Sequence, residues 1–66
     1  MDVIGLKKKM LDENINPEGL ADKIGCDRST IYRVMKNPEK MTIGMAGKIK
    51  DALNMTKQEA REIFLD

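Results

Sequence analysis

The chain of 66 residues has no histidine and no tryptophan, and it has a single cysteine, tyrosine and phenylalanine. A lone cysteine forms no internal disulfide, and without histidine a zinc site has almost no ligands. The carboxylates lie apart from any nucleophile or glycine-rich phosphate loop, so nothing supports catalysis. We therefore expect no metal, no cofactor, no small-molecule ligand and no enzymatic activity.

Long apolar runs and a secretory start are also missing. No segment is apolar over the length that a bilayer span requires, and Met1-Asp2-Val3 does not begin a signal peptide. We expect a cytoplasmic protein with one domain over residues 1–66, and no membrane partner. A domain of this size buries only about 60% of its unfolded surface, so it depends on close packing, helix caps or a partner chain.

The formal net charge is only +1, which argues against a protein that binds nucleic acid without specificity. The charge is nevertheless uneven along the chain. Residues 1–22 carry three basic and five acidic side chains, residues 23–40 carry five basic and two acidic, and residues 41–66 carry four of each. A local basic face in the middle segment is what contact with phosphates requires.

Caps and apolar spacing predict an all-α chain, because no alternating run supports a strand. Asn16 and Asp27 are expected to cap the second and third helices, and Gly25 to end the second in a left-handed conformation. Thr56 and Glu59 form a capping box before the last helix. The predicted helices are at about Val3–Asn14, Pro17–Ile24, Arg28–Lys36, Ile43–Leu53 and Lys57–Leu65.

Apolar stripes give the expected inner faces of the outer helices. In the first helix the stripe consists of Val3, Leu6 and Met10, widened by Ile4 and Leu11. In the fourth helix the stripe consists of Ile43, Ala46, Ile49 and Leu53. Cys26 stands at a position that is normally apolar, so we interpret it as a small core residue.

The second and third predicted helices, joined by a tight turn, read as a helix-turn-helix. Small Ala21 stands where the two helices would cross, and Gly25 makes the turn. Ile31 and Val34 face inward on the third helix, while its outer face is polar. An apolar underside with a polar outer face is what a DNA-reading helix needs. A generic helical hairpin in a small bundle is the alternative interpretation.

The pattern of Leu20-Ala21, Gly25, Ile31 and Val34 resembles the lambda-repressor and Cro-like (XRE-type) helix-turn-helix family. The resemblance continues through 37–42 and 52–56 to the closing Ile63-Phe64-Leu65, and so covers nearly the whole chain. The tail is similar to that of short phage regulators of Gram-positive bacteria. The resemblance implies a compact five-helix lambda-repressor-like bundle that binds double-stranded operator DNA, usually as a homodimer on an inverted repeat.

In that family the start and exposed face of the third helix read base edges. The matching positions here are Arg28, Ser29, Tyr32 and Arg33. Arginine can form a bidentate pair with guanine O6 and N7, worth about 1–3 kcal/mol of discrimination. Solvated surface charge is the alternative for the two arginines.

Phosphate contacts are expected around the motif. The family often has a phosphate-binding glutamine at the first position of the second helix, where this chain has Pro17, which cannot donate. Other polar residues are expected to compensate, although Asn16 and Thr42 also fit as helix caps alone. The expected phosphate contacts are Asn16, Thr30, Lys36, Asn37, Lys40 and Thr42. Lys7, Lys8 and Lys9 are interpreted as a solvated face.

The apolar residues near the end of the chain have two interpretations. In the first, Ile63 and Phe64 close the bundle against the first helix. In the second, Met55, Phe64 and Leu65 form a two-fold dimer contact, which would place two reading helices about 34 Å apart on DNA.

The function expected from these observations is that of a Cro-like repressor. Its third helix enters the major groove, the dimer covers an operator, and polymerase is excluded. Because no ligand-binding domain is expected, its activity would be regulated by its own concentration alone or by a second protein. The alternative is a protein-interaction module, such as an antirepressor or antitoxin, that uses the same bundle with the third helix idle.

Overall fold

The computed structural model describes residues 1–65, which form five α-helices and one 3₁₀ turn. The helices are α1 (Val3–Asp12), α2 (Pro17–Ile24), α3 (Arg28–Lys36), α4 (Ile43–Ala52) and α5 (Lys57–Phe64), with the 3₁₀ turn at Pro38–Lys40. No strand occurs among these residues, so the all-α prediction is confirmed. The bounds of α2 and α3 are those predicted. The other three helices end one or two residues earlier, and the 3₁₀ turn was not predicted.

Side-chain caps explain where several helices begin. The Asn16 side-chain oxygen accepts a hydrogen bond from the Gly19 amide at 2.7 Å, and Pro17 occupies the first turn, where a missing N–H costs nothing. Thr56 and Glu59 form the expected reciprocal capping box of α5. The Asp2 side chain caps α1 by accepting a hydrogen bond from the Gly5 amide, and this cap was not predicted from the sequence.

The segments on either side of α3 differ in part from expectation. Gly25 has φ 77°, which is the left-handed conformation predicted for it. Asp27 holds the N-cap position of α3, as predicted, but its side chain makes no capping hydrogen bond there. Asn37 has φ −126° and ends α3, because the residue before a proline is disfavoured in helical backbone.

Two asparagines with positive φ lie in the turns that follow α1 and α4. Asn14 follows α1 with φ 54°, and Asn54 follows α4 with φ 53°. Asparagine tolerates this conformation better than most residues that have a side chain. The Asn54 side-chain amide also donates to Glu13 Oε1 at 3.0 Å, which links the two turns across the bundle.

One apolar core joins the helices. Leu20 and Ile31 from the helix-turn-helix, Ile49 and Leu53 from the α4 segment, and Leu6 from α1 are almost completely buried. The other buried apolar residues are Met10, Ala21, Val34, Met55 and Ile63. The core therefore fixes α3 from below and leaves its opposite face free.

Three residues assigned to inner stripes lie outside instead. Ile4, Leu11 and Ile43 are 69%, 79% and 94% exposed, so the predictions for them are wrong. Leu11 stands one residue, and therefore about 100° around the helix, from buried Met10. Ile43 is the first residue of α4, whose buried residue is Ile49.

The first and last helices, α1 and α5, are in contact with each other. The Asp2 amide donates to the Ile63 carbonyl at 2.7 Å, and Lys9 Nζ lies 3.1 Å from Glu59 Oε2 and 3.7 Å from Glu13 Oε2. A hydrogen bond from the Thr56 amide, and then the one from Lys9, hold the pKa of Glu59 below its usual range. The hydrogen bond to Glu59 raises the pKa of Lys9. Lys9 is thus paired instead of simply solvated.

Candidate nucleic-acid interface

The turn between α2 and α3 is built on one small residue. The amides of Gly25 and Cys26 both donate to the Ala21 carbonyl, at 2.9 and 3.0 Å. Ala21 is 2% exposed, so a larger side chain there would have to displace its neighbours. Cys26 is half-buried and packs against the core, which agrees with the expectation of a small core residue.

The outer face of α3 carries the predicted base-reading residues. Arg28, Ser29, Tyr32 and Arg33 are all exposed. Ile31 and Val34, on the opposite face, are 0% and 3% exposed. The structure therefore brings all four predicted residues to one open surface of one rigid helix.

Tyr32 is positioned by a residue that sequence reasoning did not assign to the site. Its hydroxyl donates to Glu18 Oε1 at 2.9 Å, from α3 to the first turn of α2. This bond raises the pKa of Tyr32. The pKa of Glu18 is lowered, first by a hydrogen bond from its own amide, then by Tyr32, and weakly by the charge of Arg28. Glu18 and Tyr32 are 14 positions apart in the chain, and they meet only because α2 and α3 cross.

An open groove beside α3 is lined by two of the six predicted phosphate contacts. Asn16 and Lys36 both line it, together with Pro17 and Tyr32. Lys7 of α1 lines the same groove, whereas Lys7 was predicted to be solvated surface only. Lys7 therefore lies on the same side of the motif as Asn16, Lys36 and Pro17.

The capping role of Asn16 and Thr42 does not exhaust their hydrogen-bonding capacity. Asn16 uses its side-chain oxygen for Gly19, and Thr42 Oγ1 accepts from the Met45 amide at 3.1 Å. The Asn16 side-chain N–H₂ and the Thr42 O–H are donors, which these accepted bonds do not use. Both side chains are exposed, so capping and phosphate contact are compatible.

The remaining predicted phosphate contacts differ in exposure. Lys36 and Lys40 are exposed, and Lys40 belongs to the 3₁₀ turn that packs against α3. Thr30 and Asn37 are half-buried, and the Asn37 amide donates to the Arg33 carbonyl at 2.8 Å. The two basic residues among the predicted phosphate contacts, Lys36 and Lys40, thus lie at the end of α3 and just after it.

The predicted dimer residues do not lie on one surface. Met55 is 6% exposed and belongs to the core, so it offers almost nothing to a second chain and we remove it from the dimer prediction. Phe64 is half-buried against the core, as the bundle-closing interpretation expects. Leu65 is 79% exposed.

Other kinds of site find no support in residues 1–65. No three histidine, cysteine, aspartate or glutamate side chains in this range are arranged to hold a metal ion. No helix in the described range has both the length and the apolar character that a membrane crossing needs.

A family model described as the Cro/C1-type HTH DNA-binding domain matches residues 5–63. The match extends over most of the chain, and the chain belongs to this family of DNA-binding, non-enzymatic regulators. Comparisons with curated proteins and with solved structures found no match. The matched region contains α2, the turn and α3.

Proposed function

We propose that this protein is a sequence-specific transcriptional repressor of Cro type, a single domain that acts in the bacterial cytoplasm and is encoded by a bacterium or a phage. The observation that carries the proposal is the exposed face of α3, where Arg28, Ser29, Tyr32 and Arg33 stand opposite a buried apolar face. A helix held from below and open above is suited to enter the major groove.

The two arginines supply most of the base recognition in this proposal. Each guanidinium can donate two hydrogen bonds to guanine O6 and N7, worth about 1–3 kcal/mol against a wrong base. Ser29 is short enough for a base edge or a nearby phosphate. The Tyr32 hydroxyl is held by its bond to Glu18, and in this proposal the ring packs against a thymine methyl group.

Phosphate contacts around α3 fix its depth and direction in the major groove. Beside α1 they come from Asn16, Lys36 and also Lys7, which replaces the donor that Pro17 lacks. The remaining contacts, which do not line that surface groove, are Thr30, Asn37, Lys40 and Thr42. Several such contacts together favour one docking orientation.

The protein acts as a two-fold dimer on an inverted repeat. Leu65, with Phe64 beside it, provides apolar surface at the end of α5 for this contact. A dimer would present two copies of α3 about one DNA turn apart, and its occupancy of an operator would exclude polymerase.

Arginine variants test the proposal on the duplex that the wild-type protein selects from a random library. Arg28→Ala and Arg33→Ala are each expected to weaken binding about 5- to 150-fold, from the loss of one bidentate pair. Arg61→Ala is the matched control, since Arg61 is an exposed arginine on α5, away from the motif. Wild-type affinity in both α3 variants, with the fold intact, would contradict the choice of helix.

The salt dependence of binding tests the phosphate contact of Lys7. Lys7→Gln is expected to lower the slope of log K against log[salt] by about 0.9, the value for one phosphate contact. Lys8→Gln is the control, because Lys8 is exposed on the same helix but does not line the groove. Equal slopes for the two variants would remove Lys7 from the interface.

A further inference from the structure

The groove beside the reading helix has apolar walls that the proposed DNA contacts do not use. It lies between α1, the turn that follows α1, and α3, and its volume is about 770 Å³. Leu11, Ile15 and Met35 line it, and Leu11 is 79% exposed. A concentrated, exposed apolar surface rimmed by polar groups is typical of an interaction site.

The rim of the groove is positively charged. Lys7 and Lys36 stand at its edges, and none of the side chains that line it within residues 1–65 is acidic. A basic segment of a partner would therefore meet like charge, whereas an acidic one would be attracted and held in register. Charge thus selects the partner, and the apolar walls supply its contact surface.

The shape of the groove selects the form of the partner. It is an open cleft beside helices, of the kind that receives the apolar face of an amphipathic helix through anchors at i, i+3 or i+4, and i+7. Methionine side chains such as Met35 adapt easily to the shape of such anchors. We propose that this groove binds an acidic amphipathic helix of another protein, with its apolar anchors on Leu11, Ile15 and Met35, and its carboxylates beside Lys7 and Lys36.

Such a partner would compete with DNA. Tyr32, Lys7 and Lys36 line the groove, and all three belong to the proposed DNA interface. A helix seated in the groove would cover them, so the bound partner and the operator exclude each other. This competition rests on the proposed function, whereas binding of the helix does not.

Display of two matched peptide libraries on phage tests the binding. Both libraries have leucine, isoleucine or phenylalanine at i, i+3 or i+4, and i+7, and they differ only in glutamate and aspartate or lysine and arginine elsewhere. The acidic library is expected to yield binders that shift the amide NMR signals of Leu11, Ile15 and Met35. Failure to enrich binders, equal enrichment of the basic library, or shifts outside the groove would overturn the proposal.

Variants of the protein then locate the contact for the best acidic peptide. Leu11→Ser is expected to weaken it at least about tenfold, through loss of one buried leucine contact. Ile43→Ser is the matched control, because Ile43 is 94% exposed and does not line the groove. Lys7→Glu is expected to lower the affinity for the peptide more than Lys8→Glu does. Unchanged affinity in Leu11→Ser and Lys7→Glu would overturn the proposal.

A final arm separates this inference from the proposed function. The peptide is added to the protein with the duplex that the protein selects, and the apparent DNA dissociation constant is expected to rise in proportion to free peptide. Peptide and DNA bound together would overturn the competition. Peptide binding at Leu11 in a protein that selects no duplex would support the groove while contradicting the repressor proposal.

Discussion

Replacement of Gly47 with alanine should stabilise the protein. Gly47 lies in the interior of α4, and a Cβ built there meets no atom within 4 Å. Glycine inside a helix costs about 0.5–1 kcal/mol relative to alanine, because it loses more conformational freedom on folding. With open space around the new methyl group, we expect the free energy of unfolding to rise by about this amount. For a domain of this size the melting temperature would then rise by roughly 2–8 °C.

Gly5→Ala is the matched control for this reasoning. A Cβ at Gly5 would lie 2.9 Å from the Asp2 Cγ and 3.4 Å from the Ile63 Cγ1. The Asp2 side chain caps α1, so moving it aside costs about 1 kcal/mol and cancels the helical gain. Urea unfolding followed by far-UV circular dichroism measures both variants. A Gly47→Ala protein less stable than wild type, or equal stabilisation by the two changes, would refute the reasoning.

Three further predictions concern the core, the turn and the α5 cap. Ile31→Ala, at a fully buried position, is expected to cost about 2–5 kcal/mol in urea unfolding, and a loss under about 1 kcal/mol would mean that Ile31 does not anchor α3. Gly25→Ala places alanine at φ 77° and should lower the free energy of unfolding by about 1 kcal/mol in the same assay. Gly25→Asn should lower it less, because asparagine tolerates the left-handed conformation better. Equal losses in the two variants would contradict a left-handed turn at Gly25. Because the folded pKa of Glu59 is lowered, its stabilising contribution is present above its ordinary pKa of 4.5 and is lost as pH falls through the folded pKa. The stability gap between wild type and Glu59→Gln should therefore narrow below about pH 4.5 in acid titrations of unfolding, and a gap that is constant with pH would rule out this linkage.

Local chemistry explains why α2 and α3 were predicted to the residue. Asn16 before Pro17 determines where α2 begins, and Gly25 determines where it ends, whatever the rest of the chain does. Asn37 before Pro38 similarly ends α3, because proline disfavours helical backbone at the residue before it. Helix ends that depend on one or two neighbouring residues can be predicted from sequence.

Contacts between distant residues were the part that sequence could not supply. Apolar spacing indicates which face of a helix is apolar, but it does not show whether another helix covers that face. Leu11 was expected inside and is exposed, whereas Met55 was expected at a dimer surface and is buried. The bond between Tyr32 and Glu18 joins residues 14 positions apart and depends on the angle between two helices. The position of Lys7 in the groove likewise follows from how α1 packs beside α3.

Selection of bound sites from a random duplex library at near-physiological salt shows whether the face of α3 selects one DNA sequence. We expect recovery of a short inverted repeat whose half-sites lie about one DNA turn apart. We also expect that the Arg33→Ala protein no longer enriches that repeat. Recovery of nothing above background by the wild-type protein, with folding confirmed by circular dichroism, would mean that α3 does not select DNA and would favour a protein-interaction module.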